Sequence, residues 1–274
     1  MNPFALFSIF YIFAPNQNTN DEHKAMVNVV VPDDRARKLT FYLAMEEYLA
    51  HHGDAPEYLF TWTVEPTVIF GRNQFVENEV NLDYCREHGI MVVHRKSGGG
   101  CVYADKDNLM LSLVTKQENV GFAFNQYINM VLLLLRQLDV EAVGSRNNDI
   151  MVGERKVGGT ACYKTGDHCI VHGTLLYDTN MEHMIHAITP SPEKLQHNGV
   201  KSVRQRIGLL KDHIAIGIDE LKAFIPTQLC PEEQVLTEAD IHGIEELEKK
   251  YEIVWCPLND QTTNLPNDQT TNTK

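Results

Sequence analysis

The sequence predicts an α+β fold in which helices flank a large mixed or mostly antiparallel sheet. Segments rich in β-branched and aromatic residues alternate along the chain with segments in which apolar residues recur at helical spacing. Several predicted strands are separated only by short turn sequences, a spacing typical of hairpins. Neither the glycine fingerprint of dinucleotide-binding folds nor a Walker A lysine motif is present, so we expect neither of those α/β architectures.

The predicted elements of the first half begin after residue 25. Glu46 and Glu47 fall between the apolar positions of an amphipathic helix, and Gly89 has the place of a helix C′ residue. In order, the elements are a strand over Met26–Val31, a helix over Leu39–His51, two strands over Tyr58–Trp62 and Thr67–Phe70 that we expect to pair, and a helix over Leu82–His88.

The second half carries the signals of a long buried helix, a hairpin, a further strand and two closing helices. The run Val131–Leu135 is apolar throughout, which marks its helix as buried. Gly153-Glu154 separates two short β-rich runs and predicts a tight turn. The elements are a helix over Phe122–Leu138, a hairpin of Ile150–Val152 with Arg155–Val157, a strand over Cys169–Tyr177, and helices over Ile218–Phe224 and Ile241–Tyr251.

The chain length of 274 residues suits one substantial core, which we place in residues 26–256. Residues 1–25 are treated as an N-terminal extension, because the apolar run Phe4–Phe13 is too short to span a bilayer and lacks the preceding basic residues of a signal peptide. Residues 257–274 carry a repeated polar hexapeptide with no apolar residues to bury, and we expect a disordered tail.

The charge balance limits the partners of the chain. It has 24 basic and 37 acidic side chains, a formal net charge of −13, which argues against a broad basic surface for nucleic acid. An anionic ligand would therefore have to be held by local cations. The six cysteines are scattered without a Cys-x-x-Cys pair, which indicates neither a disulfide framework nor a zinc knuckle. We expect a cytoplasmic protein, with neither nucleic acid nor a membrane as a partner.

The most informative stretch is His94–Asp105, in which three consecutive glycines lie between two apolar runs. We interpret these runs as strands joined by a glycine turn, as in a hairpin. Successive amides in such a turn can form an anion-binding nest, and Arg95 and Lys96 stand at its mouth. The turn would suit a phosphate or a carboxylate. A flexible hairpin turn without a ligand is the alternative interpretation.

Three further features could serve the same chemistry: Asn148-Asp149, Lys156 before Gly158-Gly159, and His172-Gly173. Each also has a structural explanation. A strand lysine is usually a solvated edge residue, Asn-Asp usually marks a turn, and a histidine in an apolar strand is usually a hydrogen-bonded core residue. Together, the three features and the glycine turn supply backbone amides, a fixed cation and a carboxylate able to hold Mg²⁺, which nucleotide chemistry needs.

The order of these motifs resembles the lipoate-protein ligase family over roughly residues 26–251. The resemblance implies a biotin/lipoate-ligase-like catalytic domain and an ATP-dependent, adenylate-forming enzyme. Such a ligase converts lipoate and ATP to lipoyl-adenylate and then transfers the lipoyl group to a lysine of an acceptor domain. The segments that carry the resemblance are Arg95–Val102, Asn148-Asp149, Lys156–Ala161, His172–Leu176 and Lys201–Arg206.

The resemblance also assigns roles to residues of this chain. Lys156 would be catalytic, bridging the α-phosphate and the acyl carbonyl, and Asp149 would hold Mg²⁺. The acceptors would be apo lipoyl domains of 2-oxoacid dehydrogenase complexes or the glycine cleavage H protein. Besides Lys156, the site for ATP and lipoyl-adenylate would comprise Arg95, Ser97, Gly98, Gly99, Gly100, Cys101, Val102, Tyr103, Asn108, Asn148, Gly159, Thr160, Ala161, His172 and Gly173.

Some positions depart from the family pattern and leave two alternative functions open. His94 stands where many members have a second arginine. Cys169, three residues before His172, is similar in placement to the nucleophile of one group of octanoyltransferases, so an octanoyl or lipoyl transferase that uses Cys169 is one alternative. The competing interpretation of Cys169 is a small buried apolar residue. The second alternative is a lipoate-activating half-enzyme that needs a separate accessory chain.

Overall fold

The computed structural model describes residues 26–188 and 206–257, and the structural statements below concern this part of the chain. The predicted extension 1–25, most of the predicted tail and Lys201–Gln205 of the last resemblance motif lie outside it. The described strands are β1 (Val27–Val30), β2 (Glu57–Trp62), β3 (Thr67–Phe70), β4 (Met91–His94), β5 (Val102–Ala104), β6 (Asn108–Thr115), β7 (Ala142–Gly144), β8 (Asp149–Val152), β9 (Arg155–Thr165), β10 (His168–Leu176), β11 (Glu232–Val235) and β12 (Ile253–Trp255).

Four of the described helices begin at a residue whose side chain caps them, namely Asn81, Asn119, Asn180 and Thr237. The Asn119 side chain accepts hydrogen bonds from the first amides of one helix, and Thr237 forms a capping box with Asp240 at another. None of the described helices combines the length and apolarity needed to cross a bilayer. They are α1 (Leu39–His52), α2 (Val76–Glu79), α3 (Leu82–Glu87), α4 (Val120–Gln137), α5 (Met181–Ala187), α6 (Ile218–Leu229) and α7 (Glu238–Glu248).

The strands form two sheets. The large sheet has eight strands in the order β11-β1-β2-β6-β10-β9-β8-β7, and all of its pairings are antiparallel except those of β1 with its two neighbours. The small sheet has four strands in the order β12-β4-β3-β5, in which only β3 and β4 run parallel. The predicted α+β class with mixed sheets flanked by helices is confirmed.

Two predictions about strand pairing are wrong. Strand β2 does not pair with β3, because the link at Glu65-Pro66 carries the chain from the large sheet to the small one. Both faces of β3 are buried, so its place is inside a sheet, between β4 and β5. The glycine stretch is not a hairpin turn either. It leads from β4, on one side of β3, to β5 on the other side.

The large sheet is covered on both faces, and the alternation of side chains decides which residues face which layer. Helices α4 and α6 pack on one face, where Leu59 and Leu113 are fully buried. Helices α1 and α7 and the small sheet pack on the other face, against Tyr58 and Phe60. Helices α3 and α5 cover the outer side of the small sheet. A ligand site between the two sheets is therefore enclosed by both.

Candidate active site

A cavity of about 540 Å³ lies where the glycine segment of residues 95–101 meets β9 and β10. This volume is within the usual range for small-molecule sites. Most of the residues predicted for the site line it, and the structure thus brings the separate sequence motifs together. The predicted residues in its wall are Arg95, Gly99, Gly100, Cys101, Val102, Tyr103, Asp149, Lys156, Gly159, Thr160, Ala161, His172 and Gly173.

Four of the predicted binding residues are not in this wall: Ser97, Gly98, Asn108 and Asn148. The structure gives them supporting contacts instead. Asn108 Nδ2 donates to the Tyr103 carbonyl oxygen at 2.9 Å. The Asn148 carbonyl oxygen accepts a hydrogen bond from Thr160 Oγ1 at 2.7 Å, in a turn where Asn148 has a φ of 60°. These residues shape the backbone behind the cavity surface.

A β-bulge turns Lys156 toward the cavity. Met151 of β8 lies opposite Lys156, but Ile150 lies opposite Gly158, so β9 carries one extra residue at this point. Val157 is fully buried on the α4 face of the sheet, and a Cβ atom added at Gly158 would meet the Ile150 side chain on that same face. The bulge thereby places Lys156 and Gly159 on one face, although their spacing in a regular strand would put them on opposite faces.

The Lys156 ammonium group is held by one carboxylate and remains reachable. Its Nζ atom lies 2.7 Å from Asp149 Oδ1, and the side chains are 41% and 23% exposed. Gly159 forms the floor beneath this pair, since a Cβ atom there would come within 2.9 Å of Lys156 Nζ. The glycine therefore makes room for the ammonium group, which an anionic ligand in the cavity can approach.

Arg95 contrasts with Lys156, because most of its donors are used inside the protein. Its Nε atom donates to Ser97 Oγ at 2.9 Å, and its terminal nitrogens donate to the carbonyl oxygens of Ile69, Gly98 and Gly100. The side chain is only 6% exposed, and this burial lowers the pKa of the guanidinium to about 10. Arg95 lines the cavity, but its main contacts fix the path of the glycine segment.

Lys96 does not stand at the mouth of the glycine turn, so that expectation is wrong. Its Nζ atom pairs with Glu47 and lies over the Tyr251 ring, 4.6 Å from the ring centroid. The glycine turn instead packs tightly against Gly71. A Cβ atom added at Gly71 would be 2.1 Å from the Gly99 carbonyl oxygen, and Gly99 itself has a φ of +95°.

His172 both lines the cavity and belongs to the buried polar network. Its Nδ1 atom contacts the Glu46 carboxylate at 2.9 Å and its Nε2 atom contacts Ser97 Oγ at 2.8 Å. Glu46 lies on α1 and is fully buried, although the helical pattern had placed it between the apolar positions. The sequence signal that was missed is spacing, since Glu46 stands three residues from both Leu43 and Leu49 on the buried face.

The apolar part of the cavity was not predicted residue by residue. The apolar residues that line it come from separate helices and strands, so no local sequence motif predicts them. One group is Leu43, Trp62, Ile69 and Met110, and another is Leu176, Met184, Ile185, Ile188 and Ile207. Three polar residues of the wall, Glu79, Asn147 and Thr174, were also missed. The cavity therefore joins a polar region around Lys156 to apolar walls, an arrangement that suits an amphipathic ligand.

Cys169 and Cys101 are poor nucleophiles. Cys169 is fully buried on the α4 face of β10, and strand alternation puts it opposite to His172. Burial raises the pKa of its thiol. Cys101 does line the cavity, but burial raises the pKa of its thiol to about 12. The thiolate needed for acyl transfer is disfavoured at both positions, which argues against the Cys169 transferase alternative.

Comparisons with known proteins agree with this geometry. A family model described as the lipoyl protein ligase A/B catalytic domain matches residues 38–230. The lipoate-protein ligase LplJ of Bacillus subtilis is 36% identical over 205 residues, which are 74% of this chain and 57% of that protein. This chain thus spans less than two thirds of the length of that relative.

Solved structures show the same architecture. The bi-partite lipoate protein ligase of Thermoplasma acidophilum, described with its E2 lipoyl domain, has a TM-score of 0.73 at 26% identity and matches over 83% of this chain and 93% of its own. A lipoate-protein ligase A bound with ATP has a TM-score of 0.71 at 26% identity, over 82% and 95% of the two chains. The chain belongs to the lipoyl protein ligase A/B catalytic domain family.

Proposed function

We propose that the chain is an ATP-dependent lipoate-protein ligase. It activates lipoate to lipoyl-adenylate and passes the lipoyl group to a lysine of an acceptor lipoyl domain. The observation that carries this proposal is the convergence of the Lys156 ammonium group and the Gly99-Gly100 backbone on one cavity with apolar walls. A cation and backbone amides suit the anionic end of an acyl-adenylate, and the walls suit its chain.

The chemistry needs no nucleophile from the protein. A carboxylate oxygen of lipoate forms a bond to the α-phosphorus of ATP, and the bond to the bridging oxygen breaks so that pyrophosphate leaves. The acceptor amine then attacks the acyl carbonyl, loses a proton, and AMP leaves. Lys156 stabilises negative charge on the α-phosphate and the acyl carbonyl, while the glycine segment, held by Arg95, orients the two anions.

Asp149 is the residue that we propose as the protein ligand of Mg²⁺. Its Oδ1 atom faces Lys156, and the described residues hold no cluster of three or more groups suited to a metal. A single carboxylate still fits Mg²⁺, because this ion keeps several waters and is often bound by one or two carboxylates together with substrate phosphates. When bound, it would neutralise charge on the triphosphate.

The acyl chain fits the compartment formed by Leu43, Trp62, Ile69 and Met110. These side chains are at most 4% exposed, so the compartment excludes water from a dithiolane tail. We do not propose that the ligand binds directly to Ser97, Gly98, Asn108 or Asn148, because these residues do not line the cavity.

The proposed acceptors are apo lipoyl domains of 2-oxoacid dehydrogenase complexes or the glycine cleavage H protein. The support concerns the first of these, since the Thermoplasma relative is described together with an E2 lipoyl domain. We further propose a cytoplasmic location. All six cysteines lie in the described part of the chain, and no disulfide joins any of them there, which fits a reducing compartment.

A lipoate-activating enzyme that needs an accessory chain is the second candidate. The support for it is the Thermoplasma relative, which is described as a bi-partite lipoate protein ligase. The two candidates predict the same adenylate chemistry. They differ in whether the chain alone transfers the acyl group.

The proposal is tested with purified protein, lipoate, Mg-ATP and an apo lipoyl domain. We expect pyrophosphate release and a mass gain of one lipoyl group on the acceptor, and both should survive Cys169→Ser. Adenylate without acceptor modification would support the accessory-chain candidate. Acyl transfer from octanoyl carrier protein without ATP, lost in Cys169→Ser, would overturn the ligase assignment.

A further inference from the structure

The fully buried Glu46 carboxylate is the meeting point of two hydrogen-bond chains. The first chain begins at the wall of the acyl compartment. Trp62 Nε1 donates to Ser112 Oγ at 2.9 Å, and Ser112 Oγ donates to Glu46 Oε1 at 2.6 Å. All three residues are at most 1% exposed, so solvent does not compete for these contacts.

The second chain begins at the glycine segment. Arg95 Nε donates to Ser97 Oγ at 2.9 Å, Ser97 Oγ contacts His172 Nε2 at 2.8 Å, and His172 Nδ1 contacts Glu46 Oε2 at 2.9 Å. The other end of Arg95 binds the Gly98 and Gly100 carbonyl oxygens. Glu46 is therefore linked to the backbone of the glycine segment through three side chains.

The direction of both chains is fixed from their two ends. At one end, an indole N–H and a guanidinium N–H can only donate. At the other end the Glu46 carboxylate accepts, so the proton of a neutral His172 ring lies on Nδ1 and is donated to Glu46. The Nε2 atom of that ring then accepts, and Ser97, which accepts from Arg95, donates its own hydrogen to it.

We propose that Glu46 is a positioning residue for adenylate formation. By accepting from His172, it sets the direction of the hydrogen bonds that run through Ser97 to Arg95, which holds the glycine segment. By accepting from Ser112, it also anchors Trp62 in the acyl compartment. This inference rests on the proposed ligase function. Glu46 does not line the cavity, yet through the two chains it would influence both the acyl compartment and the glycine segment. The two chains also make separate predictions, since Ser112 serves only the acyl side and Ser97 only the glycine side.

Glu46→Gln is the direct test by activity. His172 Nδ1 contacts both oxygens of Glu46, and Ser112 donates to one of them. An amide offers one acceptor oxygen, and its N–H group takes the other place, where it faces the Nδ1 donor of His172 or the Ser112 hydroxyl, so at least one chain is disturbed at its end. We expect kcat/KM for lipoate-dependent pyrophosphate release to fall at least about tenfold. The control is Glu47→Gln, which removes the neighbouring carboxylate from Lys96, away from the cavity, and should stay within about twofold. Equal activity of the two variants would overturn the proposal.

The two serines separate the chains. Ser112→Ala should raise the KM for lipoate several-fold and leave the KM for ATP unchanged, because only the Trp62 anchor is lost. Ser97→Ala should lower kcat, because Arg95 loses the contact at Nε. If the two substitutions had identical kinetic effects, the two hydrogen-bond chains would not act separately, and the proposal would be contradicted. These variants keep the test open if Glu46→Gln does not fold.

Nitrogen NMR of His172 tests the network without any substrate. In the wild type we expect a neutral ring with the proton on Nδ1, and in Glu46→Gln a shift of the proton to Nε2. A wild-type ring protonated on Nε2 alone would overturn the proposal. The expected tautomer in a protein that forms no adenylate would leave the network intact and overturn only the ligase function.

Discussion

Arg95 and Lys156 both border the cavity, but the guanidinium is 6% exposed among backbone carbonyl groups, whereas the Lys156 side chain is 41% exposed and held by one carboxylate. Four hydrogen bonds tie Arg95 to Ser97, Ile69, Gly98 and Gly100. Among the described residues, Lys156 forms one ion pair, with Asp149. The comparison separates two uses of a cation at an anion site: one builds the backbone cradle, and the other is available to the ligand.

This difference also explains how an acidic chain can hold anions. The formal net charge of −13 gives no long-range attraction for a triphosphate or a carboxylate. Binding must come from short-range groups whose positions are fixed before the ligand arrives. A buried arginine that fixes the backbone amides and a reachable lysine on a bulge provide such groups at little reorganisation cost.

The largest effect is expected for Lys156→Ala. The loss of the reachable cation should lower adenylate formation at least about 100-fold, as for other groups that stabilise charge in the transition state. Stability should change little, because the side chain is partly exposed. Pyrophosphate release and chemical denaturation measure the two quantities. Lys249→Ala, which breaks an exposed ion pair with Glu246, is the control, and an equal activity loss there would refute a specific role.

Arg95→Lys should show the opposite pattern. An ammonium group keeps the charge but cannot reproduce the forked contacts, so buried carbonyl oxygens lose their donors. We expect a loss of about 2 to 3 kcal/mol in the free energy of unfolding, measured by urea denaturation. Arg86→Lys, at an exposed residue paired with Asp83, should cost less than about 0.5 kcal/mol. Equal stability of the two variants would mean that Arg95 does not support the glycine segment.

Gly159→Ala tests whether the position of the Lys156 ammonium group matters, in addition to its charge. The new methyl group would come within 2.9 Å of Lys156 Nζ, so the flexible ammonium group must move away from its place above the strand. We expect kcat to fall about tenfold with the fold intact. Gly217→Ala, at a glycine with open space around its Cβ position, is the control. Full activity in Gly159→Ala would show that the position of Lys156 is unimportant.

The smallest effect is expected far from the cavity, where stability and activity should separate. Thr237→Ala removes the capping box of α7 and should cost about 1 kcal/mol at neutral pH with unchanged kcat. Burial opposes the charged form of Asp240, but hydrogen bonds from Thr237 and Tyr48 prevail and lower its pKa. A lowered acid pKa contributes stability that is fully present above the pKa of the unfolded chain and is lost as the pH falls through the lower pKa of the folded protein. The cost of Thr237→Ala should therefore shrink as the pH falls below about 4. Thermal unfolding at pH 7 and pH 3 measures it, and a cost that does not depend on pH would contradict this reason.

The sequence predicted the polar part of the site better than the apolar part. Lys156, Gly159 and His172 stand in short motifs, and their residue types already restrict the chemistry. Leu43, Trp62 and Met110 come from three different elements, and nothing local distinguishes them from ordinary core residues. Glu46 was missed although its spacing from Leu43 and Leu49 places it on the buried face of the helix, because a charged side chain is not expected there.

The fold was predicted at the level of its elements and less well at the level of pairing. Helices α1 and α4 and strand β10 have strong patterns and were found, whereas only the first residues of β9, Arg155–Val157, were predicted. Strand β3 was paired with β2 because the two are neighbours in the sequence, whereas its burial on both faces required the interior of a second sheet. Short strands such as β7, β11 and β12 were not predicted, since three or four residues carry too little periodicity.

The most direct test of the central claim is a crystal structure of the protein soaked with lipoate and Mg-ATP. Our account predicts an adenylate in the cavity, with its phosphate against Lys156 Nζ and the Gly99-Gly100 backbone and its acyl chain beside Trp62. A nucleotide bound elsewhere, with Lys156 still paired only with Asp149, would contradict it.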